Sequence, residues 1–470
     1  MLKRVPCAVF VMLFICITAY SHPGAVHEIF FPKVFSAAEL QTSGIVLLNP
    51  GAITANVMFY FLSAAGAPLT SNTATIGPGG QLARLGSELF PTANSDGWVY
   101  VITDVDGMQA FWLTYDTSMT FLDGAEAAQI DTVGTIQTIP FVTGNTELNV
   151  ISLQSAITAS ITIHVFGTDG ELTSPSVRRL PPAGALRAPL SDIFPNADLS
   201  GALYVQVVSP DAAIVSAALV RGFQRGSDVG VVNGLSGVSG TEIIFPHIVN
   251  GVLPNAEYTT AIGVINASDS PQTITITFNP EGSAPIVITR VLSPHGALRE
   301  TAQSLFGLTS TFRTGWMRVT GTDVVFGFAA YADTLGGGFA VVPPATPQTD
   351  LFFLHIADGA PQWQTGLALL NTSSAAADVE VLAVDPRGFL IGSATVTVEA
   401  GKKIAAVIHE LISTTKGRNG GYVYVRSKNA TPLYGLELFY TEDLKVMSNV
   451  AAGKLLKGID FFPPRVGIQQ

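Results

Sequence analysis

The chain has 470 residues and a net charge of −11, with only 13% charged and 47% hydrophobic residues. A single core rarely serves that length, so several domains are expected. An acidic balance without a basic patch excludes a nucleic-acid or anionic-membrane partner.

The first segment reads as a secretory leader. Lys3 and Arg4 precede an apolar run from Val5 to Ala19, and Ala19-Tyr20-Ser21 supplies a small-residue cleavage site, giving a signal peptide over residues 1–21. The run is short for a membrane span, so the processed chain is not expected to be transmembrane. Removing Lys3 and Arg4 takes the net charge from −11 to −13, and Cys7 and Cys16 leave with them. Ile15 argues against Cys16 as a lipidation site, because a small residue is needed there. A cysteine-free exported chain cannot be a disulfide scaffold, and it fits a bacterial source most easily. The expected location is extracellular, cell-surface or periplasmic.

The next stretch opens with Ile29-Phe30-Phe31-Pro32, an extended run in which Pro marks an edge or first strand. Thr42–Asn49 is apolar on both faces and reads as a central strand ended by Asn49-Pro50-Gly51. Strands over Ala55–Leu62 and Thr70–Ile76 follow, then a turn at Gly77-Pro78-Gly79-Gly80 and a short helical piece over Leu82–Phe90. Strands Trp98–Thr103 and Met108–Tyr115 close the stretch, with a hairpin expected around Asp104–Gly107.

This order is written four times. The glycine before the sixth strand recurs as Gly97, Gly201, Gly315 and Gly421, with spacings of 104, 114 and 106 residues. A period that long is a small domain rather than a solenoid unit. The opening strand returns as Ile139-Pro140-Phe141-Val142, Phe245-Pro246-His247-Ile248 and Phe353-Leu354-His355-Ile356. The strand ending in a side-chain amide returns at Val150–Gln154, Ile262–Asn266 and Leu367–Asn371. The junctions, Asp123–Gln137, Gly226–Gly240, Val342–Asp350 and Val446–Gly458, are short and several are too apolar for free coil, so neighbouring copies are expected to touch and the junctions to have room for further strand.

Seven short strands per copy predict an all-β chain of four tandem immunoglobulin-like seven-stranded β-sandwiches, each with one short helical turn. The copies span residues 28–136, 137–241, 242–350 and 351–459. Residues 460–470 repeat the opening motif as Asp460-Phe461-Phe462-Pro463-Pro464, an extra strand or tail expected along the fourth copy or the interface beside it. The motif order resembles the tandem immunoglobulin-like repeats of secreted bacterial proteins of undefined role, over residues ~28–459. The resemblance implies fold and export, and it transfers no catalytic residue. Ala202 and Tyr422 stand where two copies have Trp, which counts against an activity shared through that residue.

Chemistry is harder to find. In the sixth strand, Val99, Leu203, Met317 and Val423 face the core, so Trp98, Tyr100, Tyr204, Trp316, Arg318, Tyr422 and Tyr424 point outward. These seven form the candidate ligand or partner face, either a stacking platform for sugars or a protein, or packing against a neighbouring domain. His247, His355 and His409 lack companion ligands at metal spacing. Asp104-Val105-Asp106-Gly107 lacks the rest of a calcium loop, and the glycine turns lack the Lys-Ser/Thr pair of a phosphate loop. No nucleophile elbow or shared carboxylate pair stands out. The reading is a non-enzymatic exported structural or adhesive protein with no metal or cofactor, serving an unknown protein or glycan partner. The alternative is a carbohydrate-binding protein using the outward aromatics.

Overall fold

A computed structural model of the chain describes residues 26–129, 132–223, 229–236, 240–359, 363–454 and 462–465. The leader, with Cys7 and Cys16, lies outside them. Strand makes up 58% and helix 6%, so the chain is all-β.

In the first stretch, β1 (His27–Phe35), β2 (Ser43–Leu48), β3 (Ala55–Ser63), β4 (Pro68–Ile76) and β5 (Gln81–Leu85) lead to a one-turn helix, α1 (Gly86–Leu89). After it come β6 (Gly97–Thr103), β7 (Gln109–Tyr115), β8 (Leu122–Glu126) and the two-residue β9 (Ala128–Gln129). The outer sheet has the order β4-β3-β6-β1-β9 and the inner sheet β5-β2-β7-β8. Phe59, Phe61, Val99 and Val101 from one layer meet Ile45, Leu47 and Trp112 from the other in a closed core. Pro32 sits where the β1–β6 register shifts, which suits a residue that cannot donate to a ladder.

The hairpin expected between β6 and β7 is not formed. Both edges of β6 are taken, by β3 and by β1, so β7 pairs instead with β2 and β8 in the other layer. Val105, in the middle of the link, is buried in the core and pins the crossing. The sixth and seventh strands therefore do not pair as they would in an immunoglobulin domain. In the third stretch their counterparts fuse into one strand, Arg313–Asp333, which pairs with one layer through its first half and the other through its second.

Later stretches reuse these pairings. Ser176–Leu180, Ala159–Gly167, Tyr204–Val208 and Ile136–Ile139 match β4, β3, β6 and β1, while Ala185–Pro189, Glu147–Ser152, Ile214–Arg221 and Val229–Asn233 match the inner sheet. The fourth stretch repeats both orders. Asn49, Asn266 and Asn371 each end the second strand and donate to carbonyls of the loops that follow. In the second stretch the equivalent residue is Ser152, whose N–H bonds Gly184 as that of Asn49 bonds Gly80, so Gln154 is not the counterpart.

The junctions do contain strand. β8 and its equivalents Val229–Asn233, Phe339–Val342 and Met447–Ala451 are an eighth element, and each contacts the next around a common axis. The inner sheets are apolar on both faces, and the second face packs on the preceding stretch. Ala217, Leu219 and Val231 join the first core, Phe328, Ala330 and Val341 join the second, and Ala368, Leu436 and Met447 join the third. Val46, Leu48, Phe111 and Leu113 of the first stretch pack on Phe352, Leu354, Tyr422 and Tyr424 of the fourth. The chain thus closes on itself as a ring.

The described part of the tail lies at this closing contact. The N–H of Phe462 donates to Pro50 at 3.0 Å, and Arg465 exchanges backbone bonds with Gly388 and Leu390. The rest of residues 460–470 falls outside the described residues. Small-angle scattering of residues 22–470 should give a radius of gyration of about 22 Å, the value for one globule of roughly 450 residues. An extended row of domains would give a far larger value and overturn the closure.

Candidate functional site

Five of the seven outward residues of the sixth strand, Trp98, Tyr100, Tyr204, Tyr422 and Tyr424, are drawn into the seams between stretches. Trp98, Tyr204, Tyr422 and Tyr424 are 2% exposed or less, while Tyr100, Trp316 and Arg318 are half-buried. Trp98 and Tyr100 lie with Ile151, Val215 and Ala185 of the second stretch. Tyr204 stacks on Phe166 at 4.5 Å beside Ile265 and Phe326 of the third. Tyr424 stacks on Phe352 at 4.8 Å against the first stretch. Arg318 lies 5.8 Å from the Trp316 ring and pairs with Glu242. A free stacking platform is therefore not what most of these rings form. Alternation assigns a face of the sheet, but it does not say whether water or protein covers that face.

The four seams share one kind of turn, and at three of them a buried donor bonds its carbonyl. The turn before the fifth strand holds a residue with positive φ: Gly79 at 65°, Ala183 at 50°, His295 at 54° and Gly401 at 69°. Trp98 donates through Nε1 to Ala183 O at 3.1 Å, Tyr204 OH to His295 O at 2.8 Å, and Tyr422 OH to Gly79 O at 3.1 Å. Ala183 and His295 accept a left-handed conformation that costs about 1–2 kcal/mol outside glycine. That cost is offset where the carbonyl is aimed at a buried donor that would otherwise lack a partner.

A long polar side chain from the fifth strand completes each seam. Arg187 bonds Val34 O at 3.2 Å and forks onto Glu39, which also pairs with the buried Lys33. Lys33 and Arg187 together hold the Glu39 carboxyl at about 2, against the opposing effect of its burial. Arg299 donates to Val142 O at 2.7 Å, with its guanidinium 5.3 Å from Phe141 and 5.5 Å from Phe223. Lys403 reaches Thr314 at 2.9 Å, Glu281 at 3.0 Å and His247 at 3.2 Å. At the closing seam Gln81 donates to Leu354 O at 2.8 Å and accepts from Gly421 N at 3.1 Å. At all four seams the side chain reaches the opening strand or its end, at Val34, Val142, His247 and Leu354. His247 and His355 are likewise seam residues, and burial pushes their imidazoles down to about 3 and about 4.

Around the axis the polar groups converge from three stretches. Asp123 is fully buried and accepts from Val231 N and from Ser448 Oγ, both at 2.6 Å. Glu126 O accepts from Asn233 at 2.8 Å, and its carboxylate takes the N–H of Ala451. Burial raises the Asp123 carboxyl to about 8, opposed by those two hydrogen bonds. Glu437 is also fully buried, at the position held by Trp112 in the first stretch, and neither oxygen has a partner among the described residues. Burial raises its carboxyl well above the usual range. At one end of the axis, Leu122, Val229, Phe339 and Met447 line a shallow surface cleft with Lys445 among its walls, too small to enclose a ligand.

His409 donates to or accepts from the buried Asp358 at 2.7 Å, and Asp358 also takes Thr415 Oγ1 at 2.9 Å. The group ties the end of the opening strand to the turn after the helix, as Asn250 does through Thr309 O in the third stretch. Among the described residues no group of three or more His, Cys, Asp or Glu could hold a metal, and no helix is long and apolar enough to cross a membrane.

Sequence reasoning missed Gln81, Arg187, Arg299 and Lys403. Their signal was present: they are long polar residues on a short strand in a chain poor in charge.

No family model matches this sequence, and no curated protein is similar to it. A crystal structure of Thermotoga maritima 1070 is similar over 23% of this chain and 95% of that one, at 19% identity and a TM-score of 0.20. A crystal structure of a tetra-tandem repeat in the extending region of a large adhesion protein covers 90% of this chain and 97% of its own, at 14% identity and a TM-score of 0.11. At those scores neither likeness carries an argument.

Two outcomes test the seams and the axis. Tyr204→Phe and Tyr422→Phe should each lose about 1 kcal/mol in urea unfolding, one buried hydrogen bond apiece. Asp123 holds its proton more tightly folded than unfolded, so its contribution is complete below about pH 4 and disappears as pH rises through about 8. Stability should fall as pH rises from about 4 to about 8, level off above that, and fall less over this range in Asp123→Asn, measured by thermal unfolding.

Proposed function

We propose that this chain is an exported structural or adhesive module without catalytic activity, in which four copies of one β-sandwich close into a rigid ring. The sandwiches are immunoglobulin-like in their two antiparallel layers and depart from that fold in the pairing of the sixth and seventh strands. The leader over residues 1–21 would send the chain out of a bacterial cytoplasm, and the ring would present its outer edges and loops to a protein or glycan.

One observation carries this reading. The polar reach from the fifth strand to the preceding stretch occurs at all four seams, including the one between the first and last stretches. The shared residues are thereby committed to holding the ring. What remains for a partner is the surface where the copies differ. The glycan reading through Trp98, Tyr100, Trp316, Tyr422 and Tyr424 loses most of its surface, since three of those five rings are buried in seams.

The experiment is expression with the leader in a bacterial host, followed by affinity capture from cell-surface protein and glycan fractions. The expected outcome is an exported chain beginning at His22 by intact mass, with captured partners returned chemically unchanged. A captured molecule released in cleaved or modified form would overturn the non-catalytic reading, and retention of an uncleaved chain in the cytoplasm would overturn export.

A further inference from the structure

Each outer sheet ends in an edge strand paired on one side only: β4, Ser176–Leu180, Ile286–Leu292 and Leu390–Val398. An open edge is a template for another chain unless something blunts it. Three of these edges are tied down by hydrogen bonds from or to the helix region. Asn72 Nδ2 donates to Leu89 O at 2.8 Å, Arg178 Nη2 to Ile193 O at 3.0 Å, and Thr414 Oγ1 to Ile391 O at 2.9 Å. Arg465 also pairs with the backbone at the start of the fourth edge. Among the described residues no such tie reaches Ile286–Leu292.

The outward side chains of this strand differ as well. At equivalent register the first stretch has Ser71, Thr73 and Thr75, and the fourth has Ser393, Thr395 and Thr397. The third has Val287, Thr289 and Val291, with the valines 58% and 70% exposed. Val291 is the most exposed large hydrophobic residue described. Nothing inside the ring requires valine there, because the same position takes hydroxyl residues in two other stretches.

We propose that Ile286–Leu292 is a self-association edge, on which a second copy of this chain pairs antiparallel about Thr289 and continues the outer sheet across a twofold axis. The register is self-matching: Val287 faces Val291 of the second copy, twice, and Thr289 faces Thr289. Charge favours this site over others for two acidic copies. Neither Ile286–Leu292 nor its neighbour Gln272–Pro280 contains an acid, and the single charge, Arg290, has no acidic partner among the described residues. Elsewhere a processed chain of net charge −13 repels its twin. Seven paired residues fall short of the ~1,200 Å² of a stable interface, so the dimer forms only at concentrations on the order of tens of micromolar.

Sedimentation velocity of the processed chain from about 5 to about 500 μM tests this. The expected result is a shift from monomer to dimer mass, weakened at least tenfold in the double variant Val287→Lys/Val291→Lys, whose sites are solvent-exposed and leave folding intact. In the cysteine-free processed chain, Thr289→Cys should oxidise to a disulfide-linked dimer, since facing residues of paired strands lie within bridging reach. Thr395→Cys, at the same position of the fourth edge, should stay monomeric. A monomer at every concentration, association untouched by the two lysines, or equal cross-linking at both cysteines would each overturn the proposal.

Discussion

The structure depends on one constraint: inner sheets that are apolar on both faces. A sheet in a two-layer sandwich buries one face and leaves the other to water. Here Val46, Leu48, Phe111 and Leu113 are as apolar as Ile45, Leu47 and Trp112 behind them, so the second face also needs a cover. Each stretch supplies that cover to the next, and the fourth supplies it to the first. The contact is head-to-tail, a type that yields open filaments unless the rotation between members closes. Closure at the fourth member leaves no apolar face over.

That constraint explains a composition with few charges. Doubly covered sheets have little surface on which to place charged residues, and several of those present work inside seams. Lys33, Arg187, Arg299 and Lys403 are cations at interfaces, where an unpaired charge would be costly and a pair or ring face is provided for each. They fix the register of one sheet on the next. Apolar contact alone is non-directional and would not.

Much of this was legible in the residues. The recurrence of the glycine turn, the order of strands and the inward alternation of Val99, Met317 and Val423 follow from local pattern, because side chains alternate whatever the neighbours do. The expected core place of Leu203 is instead taken by Ala202, and Leu203 itself packs at the seam beside Tyr204, because the paired strand there begins only at Tyr204. The link between β6 and β7 was not legible, since Asp104–Gly107 has hairpin chemistry and only the occupancy of both β6 edges forbids the pairing. The eighth strand was suggested by apolar junctions, yet its role at the axis follows from closure alone. The seam role of Trp98 and Tyr422 was one of two readings that pattern leaves open. Asp123 and Glu437 carry no local mark, because their burial comes from strands more than a hundred residues away or from the opposite layer.

The closing seam joins the first residues of the folded chain to nearly the last. Phe111 and Leu113 find their cover only when Tyr422 and Tyr424 exist, so during synthesis at about 5–20 residues per second they wait for tens of seconds with a greasy surface bare. A chain built this way needs shelter until synthesis ends, and its folding is finished by its own last stretch.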